Sequence, residues 1–206
     1  MGLFSVRSCY SLLLACRPLE GLEDNVLGAV KKLWKIDAPS KALVFGWRFM
    51  LNNLPTRTAL LLHRGILPTS YEWPCLFCLQ NEENRDHLFF SCPLGRGIWA
   101  AVYDWIGKSI PEGAVGWNHF LLFGDLIMLS KGGGRVSRLI WLATTWNIWR
   151  HRNNMIFNGG TPDASTLLKD VKCTSWFWFS CRYGRNSSVS FSYWCIDPLG
   201  CLKSIL

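Results

Sequence analysis

Charge is scarce in this chain: only 17% of its 206 residues are Asp, Glu, Lys or Arg, while half are apolar. That balance excludes a disordered chain, which cannot bury enough apolar surface to fold, and leaves room for one sizeable domain or two small ones. Long apolar runs are lacking too. The best, Phe120 to Leu129, is interrupted by Gly124 and Asp125 and falls short of a bilayer span, so no membrane is expected among the partners. A secretory leader has little support, since the apolar run after Arg7, Tyr10 to Cys16, is short and fits a helix equally well. Gly2 would suit N-myristoylation, but the sixth position, where that signal wants Ser or Thr, is Val6.

Aromatic rings and thiols are what the chain has in quantity. Twelve Trp and twelve Phe imply a ring-rich core, so the chain either packs on itself or belongs to something larger. Nine cysteines could suggest a disulfide scaffold, yet the count is odd and three of them fall into one short segment. A reducing, intracellular setting fits better, the nucleus included.

That segment reads Cys75-Leu-Phe-Cys78, eight residues, His87, four residues, Cys92. A C-x-x-C pair puts two thiolates on one tight turn, where backbone N–H groups can also face sulfur; an imidazole and a third thiolate then complete a tetrahedron. Cys75, Cys78, His87 and Cys92 are therefore the expected ligands of a closed structural Zn2+ site. Four soft ligands leave no position for a water, which argues against metal-assisted hydrolysis. The competing interpretation is ordinary cysteines near a surface histidine. Cys173, Cys181, Cys195 and Cys201 match no ligand spacing and are read as buried or incidental.

The net charge of +8 is unevenly spread. Residues 1–74 hold nine Lys/Arg against five acids, 75–92 one against three, 93–134 three against three, and 135–206 nine against three. If nucleic acid is bound, phosphate contacts should come from the flanks of the slightly acidic metal segment. Lys31, Lys32, Lys35, Arg57, Arg64, Arg150 and Arg152 are the candidates. A solvated basic face explains the same charges, and Lys31, Lys32 and Lys35 also suit the end of a helix dipole.

Periodicity makes the chain mainly α. Ser5 can cap a first helix through Leu14. Leu22, Val26, Ala29, Val30 and Leu33 form the stripe of a second, and Ser40 to Leu54 carries apolar residues on two faces, as a central helix would. Pro55-Thr56 restarts a short helix toward Gly65, and Leu67 to Ser70 is a turn-rich link. Further helices are expected over Leu94–Ile106, Trp117–Leu129, from Arg135 to about Asn153 after a flexible Lys131–Gly134 link, and from a Thr161 cap to about Cys181. Val189 to Leu206 alternates weakly and suits a short strand. Leu88, Phe89 and Phe90 should turn inward and tie the metal segment to the core.

Several of these segments resemble a known family in order: Gly2-x-Phe4-Ser5-Val6-Arg7-Ser8-x-Tyr10, Trp34 with Pro39-Ser-Lys41, Leu54-Pro-Thr-Arg57, Arg64-Gly-Ile66, Cys75-x-x-Cys78 and Asp86-His-Leu-Phe-Phe-Ser-Cys-Pro93. They look like the zinc-binding domain that follows the polymerase in plant LINE-type (non-LTR) retrotransposon reverse transcriptases. Trp146-Asn-Ile-Trp-Arg150 and Arg152-Asn-Asn-Met-Ile-Phe157 resemble the segment that commonly follows it. The resemblance implies the same four metal ligands as the spacing. It divides the chain into a zinc-binding domain over 1–109, with its loop at 75–92, a helical extension over 110–185, and a tail over 186–206.

The parent enzymes transfer nucleotides with carboxylates that hold two magnesium ions. Here the fourteen acids are scattered, no Tyr-x-Asp-Asp segment occurs, and no Asp/Glu set suggests a ribonuclease H site. The expectation is a non-catalytic accessory domain that assists RNA or DNA binding. Its alternatives are an interaction module packing against the polymerase domain of the parent element, and a decayed copy without a selected role.

Overall fold

The structure, a computed structural model, describes residues 23–64, 74–111, 113–126, 133–183 and 189–203. The helix expected around Ser5–Leu14, the Leu67–Ser70 link and Lys131 lie outside these residues. Among the described residues all regular structure is helical apart from one isolated antiparallel bridge between Pro74 and Glu82.

Helix α1 spans Asp24–Leu33 and buries Val26, Ala29, Val30 and Leu33, the expected stripe, with Asp24 in its first turn and Lys31 and Lys32 in its last. Helix α2 spans Ser40–Met50 and buries Ala42, Phe45, Phe49 and Met50. It stops short of the expected Leu54 because Asn52 takes a left-handed φ of 50°, which a short amide side chain tolerates. Leu54 is buried beyond the helix end. Helix α3, Arg57–Arg64, starts where Pro55-Thr56 should restart the chain, with Thr56 Oγ1 accepting from the Ala59 N–H at 3.3 Å.

After the metal segment, α4 (Pro93–Trp105) carries Pro at its first position and buries Ile98, Trp99, Val102, Tyr103 and Trp105. Gly107 follows it with a φ of 62°. Helix α5 is Gly116–Asp125.

Helix α6 runs over 26 residues, Gly133–Asn158, about 39 Å at 1.5 Å per residue. It is longer than expected at both ends: Gly133 and Gly134 are its first turn rather than a linker, and it continues past Asn153. Its seven consecutive residues from Leu139 to Thr145 are all buried, because α2, α5 and α7 pack around it. A helix enclosed on three sides needs no polar stripe. Its buried polar side chains answer to its own backbone instead: Ser137 donates to the Gly133 carbonyl at 3.0 Å, Thr144 to Ile140 at 2.8 Å and Asn147 to Ala143 at 2.8 Å.

Helix α7, Ala164–Tyr183, is capped by Asp163 and not by Thr161. The Asp163 carboxylate accepts from the Ser165 N–H at 2.9 Å and from the Thr166 hydroxyl at 2.5 Å, which holds the acid well below the usual carboxylate range. The expected strand near the C-terminus is two short helices, α8 (Phe191–Ile196) and α9 (Pro198–Lys203). Ser190 caps the first by accepting from the Tyr193 N–H at 3.2 Å. Trp194 on α8 and Cys201 on α9 are each fully buried, anchoring the two short helices separately. Trp194 stacks on Phe179 at 4.6 Å, and its carbonyl accepts from Trp105 Nε1 at 3.1 Å, so the tail is packed against α4 and α7.

Apolar packing runs without interruption from α1 to α9, across residue 109. Phe49 and Trp141 meet edge to face at 5.1 Å, Phe120 and Trp141 at 5.0 Å, and Phe45 and Trp146 at 5.4 Å. No described helix is long and apolar enough to cross a membrane.

Candidate metal centre

Residues 74–92 form a knuckle. The Leu79 N–H returns to the Cys75 carbonyl at 2.8 Å and the Cys75 N–H to the Asn81 carbonyl at 2.7 Å, with Leu79 itself at a φ of 56°. This fold brings the Cys78 thiol back toward the chain that follows.

That chain is a π-helical turn, His87–Ser91. The Asn84 side chain opens it by accepting from the His87 N–H at 2.8 Å, and the Cys92 N–H closes it on the His87 carbonyl at 2.7 Å. A five-residue separation is one π turn, so His87 and Cys92 emerge on the same side. In an α-helix they would diverge by more than a quarter turn. Gly95 in α4 makes the turn possible from outside: a Cβ there would lie 2.7 Å from the Leu88 carbonyl oxygen and 3.0 Å from that of Phe89.

The result gathers Cys75, Cys78, His87 and Cys92, with one ligand atom of each within 4.8 Å of every other. Cys75 and Cys92 sulfurs are 3.9 Å apart, and Cys78 Sγ lies 3.3 Å from His87 Nε2. A tetrahedral ion with ~2.3 Å bonds to sulfur spaces its ligands by about 3.8 Å, so these atoms can hold a metal ion with little movement. Cys75, His87 and Cys92 are buried and Cys78 is half-buried. The two close thiols titrate in opposite directions. Cys75 donates to Cys92 and is desolvated, which pushes it up; Cys92 accepts that bond and faces the N–H groups of Leu94 and Gly95 at the start of α4, which favour its thiolate. Among the described residues there is no second such cluster: Cys173 and Cys181 are exposed, and Cys201 is buried with its thiol raised to about 11, chiefly by desolvation.

Two devices fix the knuckle to the helices. Leu88 and Phe89 are fully buried, Phe89 meeting Phe49 edge to face at 4.9 Å, while Trp99 Nε1 donates to the Phe89 carbonyl at 2.9 Å. Glu83, between Cys78 and His87, is also fully buried. Its carboxylate accepts from Arg152 Nε at 3.1 and 3.2 Å and from Arg152 Nη2, and from the Arg57 N–H at the start of α3 at 3.0 Å. The Arg152 guanidinium also lies 4.8 Å from the centre of the Trp149 ring.

Arg152 is therefore removed from the phosphate-contact candidates, because its charge is buried and spent on Glu83. Its sequence neighbours gave no sign of that, since the partner is 69 residues away. Arg57 is half-buried, with Nη1 donating to the Pro74 carbonyl at 2.6 Å. Lys31 and Lys35 are exposed at the end of α1, Lys32 is half-buried, and Arg150 is exposed on α6. The side chain of Arg64 lies outside the described set.

A knuckle of three thiols and an imidazole, stapled to a helical core, has the donor set of a structural metal site. Residues 4–99, just under half of the chain, match the family described as zinc-binding in reverse transcriptase. The chain is also similar to an Arabidopsis thaliana protein named "Putative ribonuclease H protein", with 32% identity over 101 residues; the match covers 49% of this chain but only 15% of that protein. No solved structure matches.

Proposed function

We propose that this chain is a zinc-binding accessory module of a plant LINE-type reverse transcriptase, without catalytic activity of its own, that assists RNA or DNA binding. The observation that carries the proposal is the closed set of three thiols and an imidazole, whose softness and spacing suit Zn2+ above harder cations. Bound there, the ion would hold both halves of the knuckle and offer substrate no open position. Cys75, Cys78, His87 and Cys92 do the binding. Lys31 and Lys35 at the end of α1 and Arg150 on α6, all exposed, supply phosphate-compatible charge.

The experiment is elemental analysis of purified protein together with oligonucleotide binding. One zinc per chain is expected in the wild type, and its loss in Cys78→Ala and His87→Ala, with a lowered melting temperature. Unchanged metal content in both variants would remove the assignment. Affinity for RNA or DNA should fall steeply as salt rises; a protein that ignores both at low salt is not a nucleic-acid module.

A second reading, packing against the polymerase domain of the parent element, is favoured by the face of α8, where Tyr193 and Ile196 are exposed apolar groups. Under it the chain would be oligomeric or insoluble alone and soluble with its partner.

A further inference from the structure

Between α2 and α6, with the chain turn before α3 as its end wall, lies an open groove of about 630 Å³. Its floor is apolar and partly aromatic: Val44, Phe45, Leu54, Trp146 and Trp149, with Phe157 standing at one end, 76% exposed. Its rim is cationic. Lys41, Arg48, Arg57 and Arg150 all line it, and no Asp or Glu does. Other described cations do have carboxylate partners: Arg85 with Asp86, Arg138 with Asp125, Arg152 with Glu83 and Arg182 with Asp37. Lys41, Arg48 and Arg150 have none within ion-pairing distance among the described residues.

The groove does not stop at Arg150. Lys41, Trp146 and Arg150 also line a second depression, which continues toward α7 and Phe177, 62% exposed, again without an acid. One path thus runs from the exposed ring of Phe157 past the cations Arg150 and Lys41, with the half-buried Trp146 in both linings, to the exposed ring of Phe177.

Resting on the nucleic-acid reading above, we infer that this path is a binding track for single-stranded nucleic acid, with bases on the rings and phosphates on the cations. Rings give each base a face to stack on whatever its identity, and flanking cations follow the backbone. A duplex keeps its bases stacked on each other and could use only the rim. A protein segment would find the apolar floor congenial but would leave the uncompensated cations without a counter-charge, so charge complementarity favours the polyanion.

The test uses the full zinc-loaded chain, a fluorescein-labelled single-stranded oligothymidylate and a duplex of the same length, followed by anisotropy over a salt series. The wild type should prefer the single strand. Phe157→Ala should weaken it roughly fivefold or more, and the double variant Lys41→Gln/Arg150→Gln should flatten the log Kd against log salt slope by about 1.4, two phosphate contacts' worth on a single strand. All three side chains are exposed or on the rim, so zinc content and circular dichroism should not change; Lys169→Gln, on the exposed side of α7, serves as the control. Equal affinity for duplex and single strand with a silent Phe157→Ala overturns the track. Binding that responds to changes at Lys31 and Lys35 but not at Lys41 and Arg150 overturns the track while leaving the nucleic-acid reading in place. A wild type that binds neither oligonucleotide at low salt overturns both.

Discussion

His119 shows how one buried side chain can set the acid limit of a fold. Trp141 Nε1 is a donor only and reaches His119 Nδ1 at 2.8 Å, so that nitrogen must be the acceptor and the ring proton sits on Nε2, 3.3 Å from the Tyr103 hydroxyl. Trp99, 4.4 Å away, and Phe90 enclose the ring, and desolvation lowers its pKa to about 3. The folded protein thus keeps the ring neutral, whereas an unfolded chain takes up a proton below about pH 6.5. Stability from this group is complete above that pH and is lost as pH falls toward about 3. Between pH 7.5 and 5.5 the loss should be about 1.4 kcal/mol, tenfold in the unfolding constant over the whole interval. Urea unfolding at the two pH values checks it: His119→Gln should be less stable at neutral pH but lack this increment of pH dependence. If both proteins lose stability in parallel, the acid response belongs elsewhere, the metal site included.

At the scale of elements, the π turn and the helix that follows act as one piece. Gly95 is the contact between them, and any Cβ there meets backbone carbonyls that cannot swing aside. Gly95→Ala should cost about 1–3 kcal/mol, as overpacking does, and speed the loss of zinc to a chelator. Gly97→Ala, two residues on and open to solvent with nothing within 4 Å, should instead stabilise α4 by up to about 1 kcal/mol. Denaturant midpoints and chelator kinetics of the two variants decide it, and equal behaviour would show that the close approach carries no weight.

Local patterns made much of this legible. The four candidate ligands sit within 18 residues, and the stripes of α1 and α4 lie on single helices, so spacing and periodicity contain what is needed. The π turn was half visible, as a five-residue separation without its hydrogen bond. Glu83 was not visible at all: nothing local distinguishes it from the exposed Glu82 beside it, because its burial is created by a helix that begins 50 residues later. The C-terminal helices were hidden for a related reason: each is six residues long, too short to show a period, and Trp194 is held by rings of α4 and α7 far away in sequence.

Across the whole molecule, the Glu83–Arg152 pair joins the metal knuckle to the central helix. Removing one partner of a buried pair strands the other charge in the core. Glu83→Ala should therefore cost about 3–5 kcal/mol, while Glu83→Leu combined with Arg152→Met should recover most of it. The unfolding transitions of the two variants, followed by tryptophan fluorescence, test this. A Glu83→Ala protein as stable as the wild type would mean that the pair is not holding the two parts together. Because apolar packing is continuous across residue 109, the loss should appear in one transition and not in a separate melting of the first half.

The same pair also sets an order of events. Cys75 and Cys92 are 17 residues apart and Glu83 and Arg152 are 69 apart, so closing the second loop costs about 1.2 kcal/mol more chain entropy than closing the first. The knuckle can close while α6 is still being synthesised; the guanidinium must wait for its helix. A newly made chain would form its knuckle first and acquire its interior afterwards, with Glu83 held for a time at the surface as an open socket.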